Sequence, residues 1–294
     1  GIPTMNTTSP TIQHGIEIIE SPALLQQRML QARAKGQRIA FVPTMGYLHE
    51  GHVSLLRAGR ARGDLLVLSI FVNPMQFGAS EDLSRYPRDL DGDLAKAATA
   101  GTDLAFCPQP EAMYPVGFQT RVEVTEVQKG LCGDYRPGHF AGVATVVLKL
   151  INLVQPHVLL LGEKDYQQLQ VIRRMVRDLA LPVEVLGCPL IRDHDGVALS
   201  SRNAYLSPSE REQARSLSQA LFAARAAFAA GERRRDALLD VARSVLAAQP
   251  ALRLEYLELR DASDLTPPPA TLNDPVVLLI AGYIGRTRLI DNLL

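Results

Sequence analysis

Short apolar segments alternate with helical patterns through the first two-thirds of the chain, and this alternation restricts the possible fold more than any other feature. Alternating strands and helices are typical of βαβ units, whose strands form a parallel sheet. Residues 65–72 and 158–161 lack polar alternation, as expected for strands that are buried on both faces. The predicted strands are 38–42, 65–72, 104–107, 158–161 and 183–186, and the predicted helices are 22–35, 52–62, 90–100, 142–153 and 166–179.

The pattern changes after residue 188. An alanine-rich helix is predicted over 207–230, where Ser207-Pro208-Ser209-Glu210 is a strong helix start signal. A second helix and two strand-like segments follow, at 233–248, 253–260 and 276–283. A chain of 294 residues is long for one domain. We therefore predict an α/β, Rossmann-like parallel-sheet domain over 1–188 and a smaller α+β domain over 189–294, with 189–201 as the hinge.

Charge and cysteine usage narrow the class of protein. Lys plus Arg and Asp plus Glu both number 31, and the pI is about 7.2, so no basic excess favours a nucleic-acid partner. The longest apolar runs are too short to span a membrane, and no signal peptide is expected from the N-terminal pattern. Three widely spaced cysteines without a CxxC pair predict buried free thiols in a reducing compartment, hence the cytoplasm.

The tetrad His49-Glu50-Gly51-His52 follows the first of these strands and a turn that contains Gly46. A helix N-terminus after a strand and a glycine-bearing turn offers backbone N–H groups to phosphates, and histidines add further donors. Two other interpretations remain open. One is a helix cap with a surface histidine; the other is a zinc site, which is weaker because the spacing is not HExxH and no third ligand lies nearby.

Two later segments carry similar chemistry. Gly162-Glu163-Lys164-Asp165 follows a predicted buried strand, so Lys164 is a candidate for neutralising phosphate and Asp165 for binding ribose or a metal-bound water. Gln168 lies one helical turn after Lys164. The second segment, Leu199-Ser200-Ser201-Arg202-Asn203, offers two hydroxyls and a guanidinium as a phosphate clamp. Taken alone, each segment is equally compatible with an ordinary loop.

Other polar positions point to the second substrate or to a metal. Asn73 and Gln76 stand among apolar residues after a strand, which suits a hydroxyl-bearing substrate body, although a simple turn is the alternative. Arg136 and His139 are candidates for holding a carboxylate or for shaping a wall. The acidic run 89–93 either supplies a magnesium ligand or starts a helix.

Together these motifs resemble the pantothenate synthetase (pantoate–β-alanine ligase) family of the HxGH nucleotidyltransferase superfamily. The resemblance runs from about Ile18 to Leu294 and includes the closing Arg288-Leu289-Ile290-Asp291-Asn292. The segments that carry it are 42–52, 69–77, 136–143, 162–168 and 199–203.

The resemblance implies the last step of pantothenate (vitamin B5) biosynthesis. In it, (R)-pantoate attacks the α-phosphate of Mg-ATP to form pantoyl adenylate and pyrophosphate, and the amine of β-alanine then displaces AMP. It also implies an ATP- and pantoate-binding Rossmann-like domain, a C-terminal lid domain, Mg²⁺ supplied with ATP and a homodimer, with no nucleic-acid or membrane partner.

The same resemblance implies roles for individual residues. His52, as proton donor, His49 and Lys164 would be catalytic, and Asn73, Gln76, Gln168 and Met45 would bind pantoate or β-alanine. Asp93 would be the magnesium contact, although Gly92 and Lys96 depart from the acidic residue and the amide that members of the family carry there. The residues implied at ATP are Met45, Gly46, His49, Gly51, His52, Gly162, Lys164, Asp165, Ile191, Leu199, Ser200, Ser201 and Arg202.

Two rival functions remain open. One is a nucleotidyltransferase that leaves AMP attached to its product, and the other is a catalytically silent nucleotide sensor. The neutral charge and the lack of an appended RNA module count against a tRNA synthetase. The complete set of histidine, lysine, glutamine and Ser-Ser-Arg motifs counts against a sensor.

Overall fold

The computed structural model describes residues 9–294, and within this range it contains ten strands and nine α-helices. The strands are β1 (Thr11–Gln13), β2 (Ile16–Ile19), β3 (Ile39–Thr44), β4 (Leu65–Ile70), β5 (Leu104–Phe106), β6 (Val158–Gly162), β7 (Glu184–Cys188), β8 (Leu252–Asp261), β9 (Val276–Ile284) and β10 (Thr287–Leu293). The helices are α1 (Pro22–Ala34), α2 (Glu50–Arg60), α3 (Leu90–Thr99), α4 (Pro110–Met113), α5 (Cys132–Tyr135), α6 (His139–Val154), α7 (Tyr166–Asp178), α8 (Pro208–Ala229) and α9 (Arg235–Ala247).

The described chain divides into two compact units. The first unit contains the residues up to Val124 together with Gly138–Gly162 and Ile172–Cys188. The second contains Pro189–Leu294 and two earlier segments, Thr125–Pro137 and Glu163–Val171. The domain division at residues 188 and 189 stays a prediction. Residues 1–8, which belong to the predicted first domain and to the segment with no expected signal peptide, lie outside the described residues.

The first unit is built on one seven-stranded sheet with the order β1-β2-β5-β4-β3-β6-β7. The pairs from β2 to β7 are parallel, and β1 adds an antiparallel edge. The predicted α/β class with a parallel sheet is therefore confirmed. Strand order proceeds outward from β3 through β4 and β5 on one side, and from β6 to β7 on the other. In open sheets of this kind, ligands bind at the carboxyl ends of the strands where the order reverses.

Strands β4 and β6 are buried on both faces, as predicted for 65–72 and 158–161, and β3 between them is buried in the same way. All four residues from Ile39 to Val42 have no exposed surface, and the first four residues of β4 are buried too. Helix α2 packs closely on the sheet through Gly59. A Cβ at this position would lie 2.8 Å from Leu66 Cδ1 and 3.3 Å from Leu160 Cδ1, so a larger residue would have to push these buried side chains aside.

The second unit contains an antiparallel sheet with the order β10-β9-β8, and the leucine- and alanine-rich faces of α8 and α9 share its core. The predicted helices and strands of this region are all present with small changes in their ends. Strand β10 was not predicted, and neither were β1, β2 and the one-turn helices α4 and α5. Helix α6 begins at His139 and not at residue 142.

All three cysteines lie within the described residues. Cys107, Cys132 and Cys188 are free thiols, and the last two are buried while Cys107 is partly buried. Among residues 9–294, no helix has both the length and the apolar content needed to cross a bilayer.

Helix α8 begins with a capping box that we expect to contribute measurably to stability. Ser207 Oγ accepts the Glu210 N–H at 3.2 Å, and Glu210 Oε1 accepts the Ser207 N–H at 3.0 Å. Replacing such a cap with alanine costs about 1 kcal/mol. Ser207→Ala should therefore lower the free energy of unfolding in urea by this amount, whereas Ser244→Ala, within α9, should change it less. Equal effects of the two substitutions would contradict the capping role.

Candidate active site

The link from β3 to α2 makes a sharp turn with a left-handed backbone. Gly46 has φ +83° and Tyr47 has φ +51°, so two consecutive residues occupy the region that favours glycine. A Cβ at Gly46 would also meet Asp93 Oδ2 and Ile70 Cγ2, each at 3.0 Å. Thr44 Oγ1 accepts the Gly46 N–H at 3.1 Å. The turn therefore starts α2 directly above the end of β3.

His49 and His52 form the cap of α2. His49 Nδ1 accepts the N–H of Gly51 at 3.0 Å, and His52 Nδ1 accepts the N–H of His49 at 3.1 Å. The two rings are 4.0 Å apart between centroids and tilted by 38°. The helix-cap interpretation of the tetrad is therefore structurally correct for His49, and the second histidine completes the same cap.

These two bonds also determine the tautomers. A backbone N–H can only donate, so both Nδ1 atoms must be unprotonated, and in the neutral ring the proton then sits on Nε2. Each half-buried histidine thus carries an Nε2–H donor at the N-terminus of α2, where the helix dipole also favours negative charge. This arrangement is suited to stabilising charge that develops on a phosphate.

Gly51 permits the His49 ring to take this position. A Cβ on residue 51 would lie 2.7 Å from His49 Cε1 and 2.9 Å from His49 Nδ1. Both distances are shorter than real carbon contacts, so a larger residue would displace the ring. The glycine of the tetrad is explained by packing and not by a special backbone conformation.

Asp93 holds the turn between β3 and α2 from the side. Its carboxylate accepts the N–H of Tyr47 at 2.9 Å and that of Leu48 at 2.7 Å, while Lys96 Nζ donates to the Leu48 carbonyl at 3.0 Å. Asp93 is 2% exposed, and its burial raises the pKa of the carboxyl while the two backbone N–H bonds oppose that shift. These three contacts connect α3 to the turn that precedes the histidines.

The acidic run before Asp93 starts α3. Asp89 caps this helix by accepting the Gly92 N–H at 3.1 Å, and a Cβ on Gly92 would lie 2.2 Å from Asp89 Oδ2. Among residues 9–294, no group of three or more His, Cys, Asp or Glu side chains could hold a metal ion. Because both oxygens of Asp93 already accept backbone N–H groups, this donor set does not by itself make a magnesium site, and its assignment as a metal contact stays a prediction.

A buried amide network follows β4. Asn73 Oδ1 accepts the Met75 N–H at 3.3 Å, and Asn73 Nδ2 donates to the Gly142 carbonyl at 3.1 Å. Because both backbone partners have fixed polarity, they determine which way the Asn73 amide points. Asn73 Nδ2 also donates to Gln76 Oε1 at 3.0 Å, so the Gln76 amide must present its NH₂ group on the other side.

Two further residues support this network. Tyr114 donates its hydroxyl to Asn73 Oδ1 at 2.6 Å, and burial raises the pKa of this phenol, so the proton stays on it. His139 Nδ1 lies 2.9 Å from the Gln76 carbonyl oxygen. The sequence pattern gave no signal for Tyr114, since a single tyrosine in a loop resembles many others.

Of the predicted residues not yet placed, Met45 precedes Gly46 in the first unit and Gly162 ends β6 there, and the others belong to the second unit. Lys164 and Asp165 lie in a single turn of 3₁₀-helix, and Gln168 follows in the first turn of α7. Lys164 and Gln168 are half-buried, and Asp165 is exposed. Asn292 Nδ2 donates to the carbonyls of Glu163 and Lys164, a contact that sequence reasoning did not identify.

The segment predicted as a hinge contains an ordered hairpin. Arg192 pairs with Ala198 in an antiparallel bridge, and the Leu199 N–H donates to the Ile191 carbonyl at 3.0 Å. Next, Ser200 Oγ caps a 3₁₀ turn by accepting the Arg202 N–H at 3.2 Å. Ser201 is buried and Arg202 is half-buried. The residues predicted as a phosphate clamp, Ser200, Ser201 and Arg202, thus form the start of a capped 3₁₀ turn.

Known proteins similar to this chain share one activity in their names. The Pantothenate synthetase of Myxococcus xanthus is 56% identical over 263 residues, covering 89% of this chain and 90% of that protein. That of Pelobacter propionicus is 54% identical over 268 residues, covering 91% and 94% respectively. The crystal structure of Pantothenate Synthetase from Thermus thermophilus is 46% identical, with a TM-score of 0.89 and coverage of 94% of this chain and 98% of that chain.

A second solved structure is described with ligands. Pantoate-beta-alanine ligase from Francisella tularensis, complexed with beta-gamma ATP and beta-alanine, is 34% identical with a TM-score of 0.76, covering 94% of this chain and 97% of that chain. A sequence profile described as Pantoate-beta-alanine ligase matches residues 17–294. With a profile match over nearly its whole length and relatives above 50% identity, this chain belongs to the pantoate–β-alanine ligase family.

Proposed function

We propose that this chain joins pantoate to β-alanine through a pantoyl-adenylate intermediate, with ATP as the activating substrate. The ligation itself is the activity of the family to which the chain belongs. The observation that carries the adenylation step is the cap of α2, where two Nε2–H groups and a helix N-terminus lie together. The bound nucleotide and β-alanine in the Francisella tularensis relative support the same substrates.

In the first step, a carboxylate oxygen of pantoate attacks the α-phosphorus of ATP. The bond from this phosphorus to the oxygen that bridges to the β-phosphate breaks, so negative charge develops on the departing pyrophosphate. The Nε2–H groups of His49 and His52 would donate to that charge, with His52 as the proton donor. Donors already aimed at developing charge bind the transition state more strongly than the ground state.

In the second step, the uncharged amine of β-alanine attacks the carbonyl carbon of the adenylate. The bond from this carbon to the phosphate oxygen breaks, AMP leaves, and the nitrogen loses a proton to give the amide of pantothenate. A carboxylate resists such attack until its oxygen becomes part of a good leaving group, and AMP provides that. The adenylate must also be kept from water, which is the role we assign to the C-terminal domain as a lid.

We assign the other predicted residues to two groups. Lys164 neutralises phosphate charge, and the remaining members of the ATP set contact the nucleotide. Gln76 offers its amide NH₂ group to the carboxylate or hydroxyls of pantoate, because Asn73 already occupies its carbonyl. Gln168 and Met45 complete the pantoate and β-alanine site. The support for the ATP and Gln168 assignments is the family resemblance.

Mg²⁺ would enter with ATP, bound by the phosphates and water as is usual for this ion. Asp93 would be its contact on the protein, and the support for this assignment is the family resemblance. A homodimer remains a prediction that follows from the family resemblance, and a cytoplasmic location remains one that follows from the cysteine usage.

Pyrophosphate exchange tests the proposed function directly. The protein is incubated with Mg-ATP and labelled pyrophosphate, with and without pantoate, and label is measured in ATP. Pantoate-dependent exchange is expected, and adding β-alanine should then release AMP and pantothenate in equal amounts. Folded protein without exchange would exclude adenylation. Exchange without AMP release on adding β-alanine would instead favour a nucleotidyltransferase that retains AMP on its product.

Lys164→Ala should lower the exchange rate by about 10²–10³-fold, the usual effect of removing one preorganised donor. The charge at this position would no longer stabilise the phosphates in the transition state. Lys35→Ala, which removes the same charge from an exposed position after α1, is the matched control and should exchange normally. Near-normal exchange by Lys164→Ala would refute the assigned role.

Gly51→Ala should lower the exchange rate at least about tenfold, equivalent to about 1.4 kcal/mol, because the new Cβ displaces the His49 ring. Alanine favours a helix over glycine, but the displaced ring loses its hydrogen bond to the residue 51 N–H, so the two effects offset and the melting temperature should change little. Gly78→Ala, where a Cβ meets nothing closer than 3.6 Å, serves as the control. A normal rate in Gly51→Ala would show that the position of the ring does not matter.

Gln76→Glu should raise the KM for pantoate at least about tenfold, since a second carboxylate oxygen would replace the NH₂ donor. Tyr114→Phe should have a smaller effect, because backbone groups at Met75 and Gly142 still hold the Asn73 amide. The KM for ATP should change little in either variant and serves as the internal control. An unchanged pantoate KM in Gln76→Glu would contradict the proposed orientation of the amide.

A further inference from the structure

A side chain near the end of β10 bonds to the turn that carries Lys164. Asn292 is 5% exposed, and its Nδ2 donates to the Glu163 carbonyl at 2.8 Å and to the Lys164 carbonyl at 2.9 Å. Carbonyls only accept, so the amide is oriented with both of its hydrogens toward this turn. The backbone that carries Lys164 is therefore held by a residue 128 positions later in the chain.

Asp291, the residue before Asn292, contacts the hairpin that leads into Ser200, which is the second segment assigned to ATP. Asp291 is 4% exposed and makes a two-pronged ion pair with Arg192, with Nη1–Oδ2 and Nη2–Oδ1 distances of 2.7 and 2.8 Å. Arg192 also donates to the Gly196 carbonyl at 3.0 Å and to the Asn292 carbonyl at 3.2 Å. The guanidinium thus fastens the hairpin between Ile191 and Leu199 to the same end of β10.

We propose that Asp291 and Asn292 form a clasp that sets the position of the two ATP-binding segments relative to each other. One segment is the Lys164 turn, and the other is the hairpin that leads into Ser200, Ser201 and Arg202. The clasp rests on the proposed function, because that function is what assigns ATP to the two segments. Asp291 and Asn292 act as positioning residues, because their side chains bond to the protein segments.

The chemistry of each partner suits such a role. The planar guanidinium of Arg192 holds the Asp291 carboxylate through two parallel hydrogen bonds, and the Asn292 amide spans two consecutive carbonyls. Both residues are shielded from water, which would otherwise compete for these bonds. The clasp therefore limits how far either segment moves against β10.

Steady-state kinetics of Asn292→Ala test the clasp. The expected result is a fall of at least about tenfold in kcat/KM for ATP, with the KM for pantoate within about twofold of the wild-type value. Leu289→Ala is the matched control, because it removes a buried side chain of the same strand from the core shared with α8 and α9. It should lower the melting temperature and leave the KM for ATP unchanged.

A double-mutant cycle separates positioning from general support of the fold. If Asn292 acts through the Lys164 turn, Asn292→Ala should weaken binding of a non-hydrolysable ATP analogue much less in a Lys164→Ala background than in the wild type. Calorimetry gives these affinities without turnover. Additive effects, or a uniform loss like that of Leu289→Ala, would overturn the clasp.

Hydrogen exchange on the wild-type chain covers the case in which Asn292→Ala does not fold. Saturating ATP analogue should slow amide exchange in peptides covering 163–165, 191–199 and 287–293 together. Slower exchange in the peptides covering 163–165 and 191–199, with no change in the peptide covering 287–293, would overturn the clasp. Because this experiment measures binding, a chain that binds the analogue but lacks pantoate-dependent pyrophosphate exchange would refute the adenylation step and leave the clasp standing.

Discussion

The first turn of α2 has backbone N–H groups that need acceptors, and two histidine rings supply them. This requirement explains more of the candidate site than any other interaction. It places one ring against Gly51, tilts the second ring beside the first, and puts the proton of each neutral ring on Nε2. A hydrogen bond that stabilises the helix thus also prepares the donor that we assign to catalysis. The interpretations of a helix cap and of a phosphate site describe two nitrogens of the same ring.

The cap of α2 depends on the preceding link from β3, whose backbone conformation is unfavourable by itself. Gly46 and Tyr47 are both left-handed, and Asp93 compensates for this by accepting the N–H groups of Tyr47 and Leu48. Lys96 adds a bond to the Leu48 carbonyl, so donors and acceptors of the turn are bonded from the same face of α3. The role of Asp93 that the structure displays is to support the backbone before the histidines. The two N–H bonds and the nearby charge of Lys96 offset part of the cost of burying this carboxylate.

The parallel sheet could be predicted because its signal is local. Strands β3, β4 and β6 are buried on both faces, and each begins with four consecutive apolar residues. Strand β10 alternates buried and partly exposed residues and contains Arg288, Asp291 and Asn292, so it lacks that signal. Strand β1 is fully exposed and only three residues long, which leaves no apolar pattern to detect. The start of α6 at His139 lacks a signal for a different reason. Its N-cap residue is Gly138, which has no side chain to cap the helix.

The residues that we assign to the candidate site come from motifs that follow strand ends, and each motif is contiguous in sequence. Their contact with phosphate stays a prediction. The partners that orient those residues are remote: Tyr114 lies 41 positions from Asn73, and Asn292 lies 128 from Lys164. Hydrogen bonds over such separations depend on tertiary packing, which no local pattern encodes. Short motifs therefore indicate which functional groups a site contains. The residues that hold those groups in position lie far away in the sequence and become apparent only from the structure.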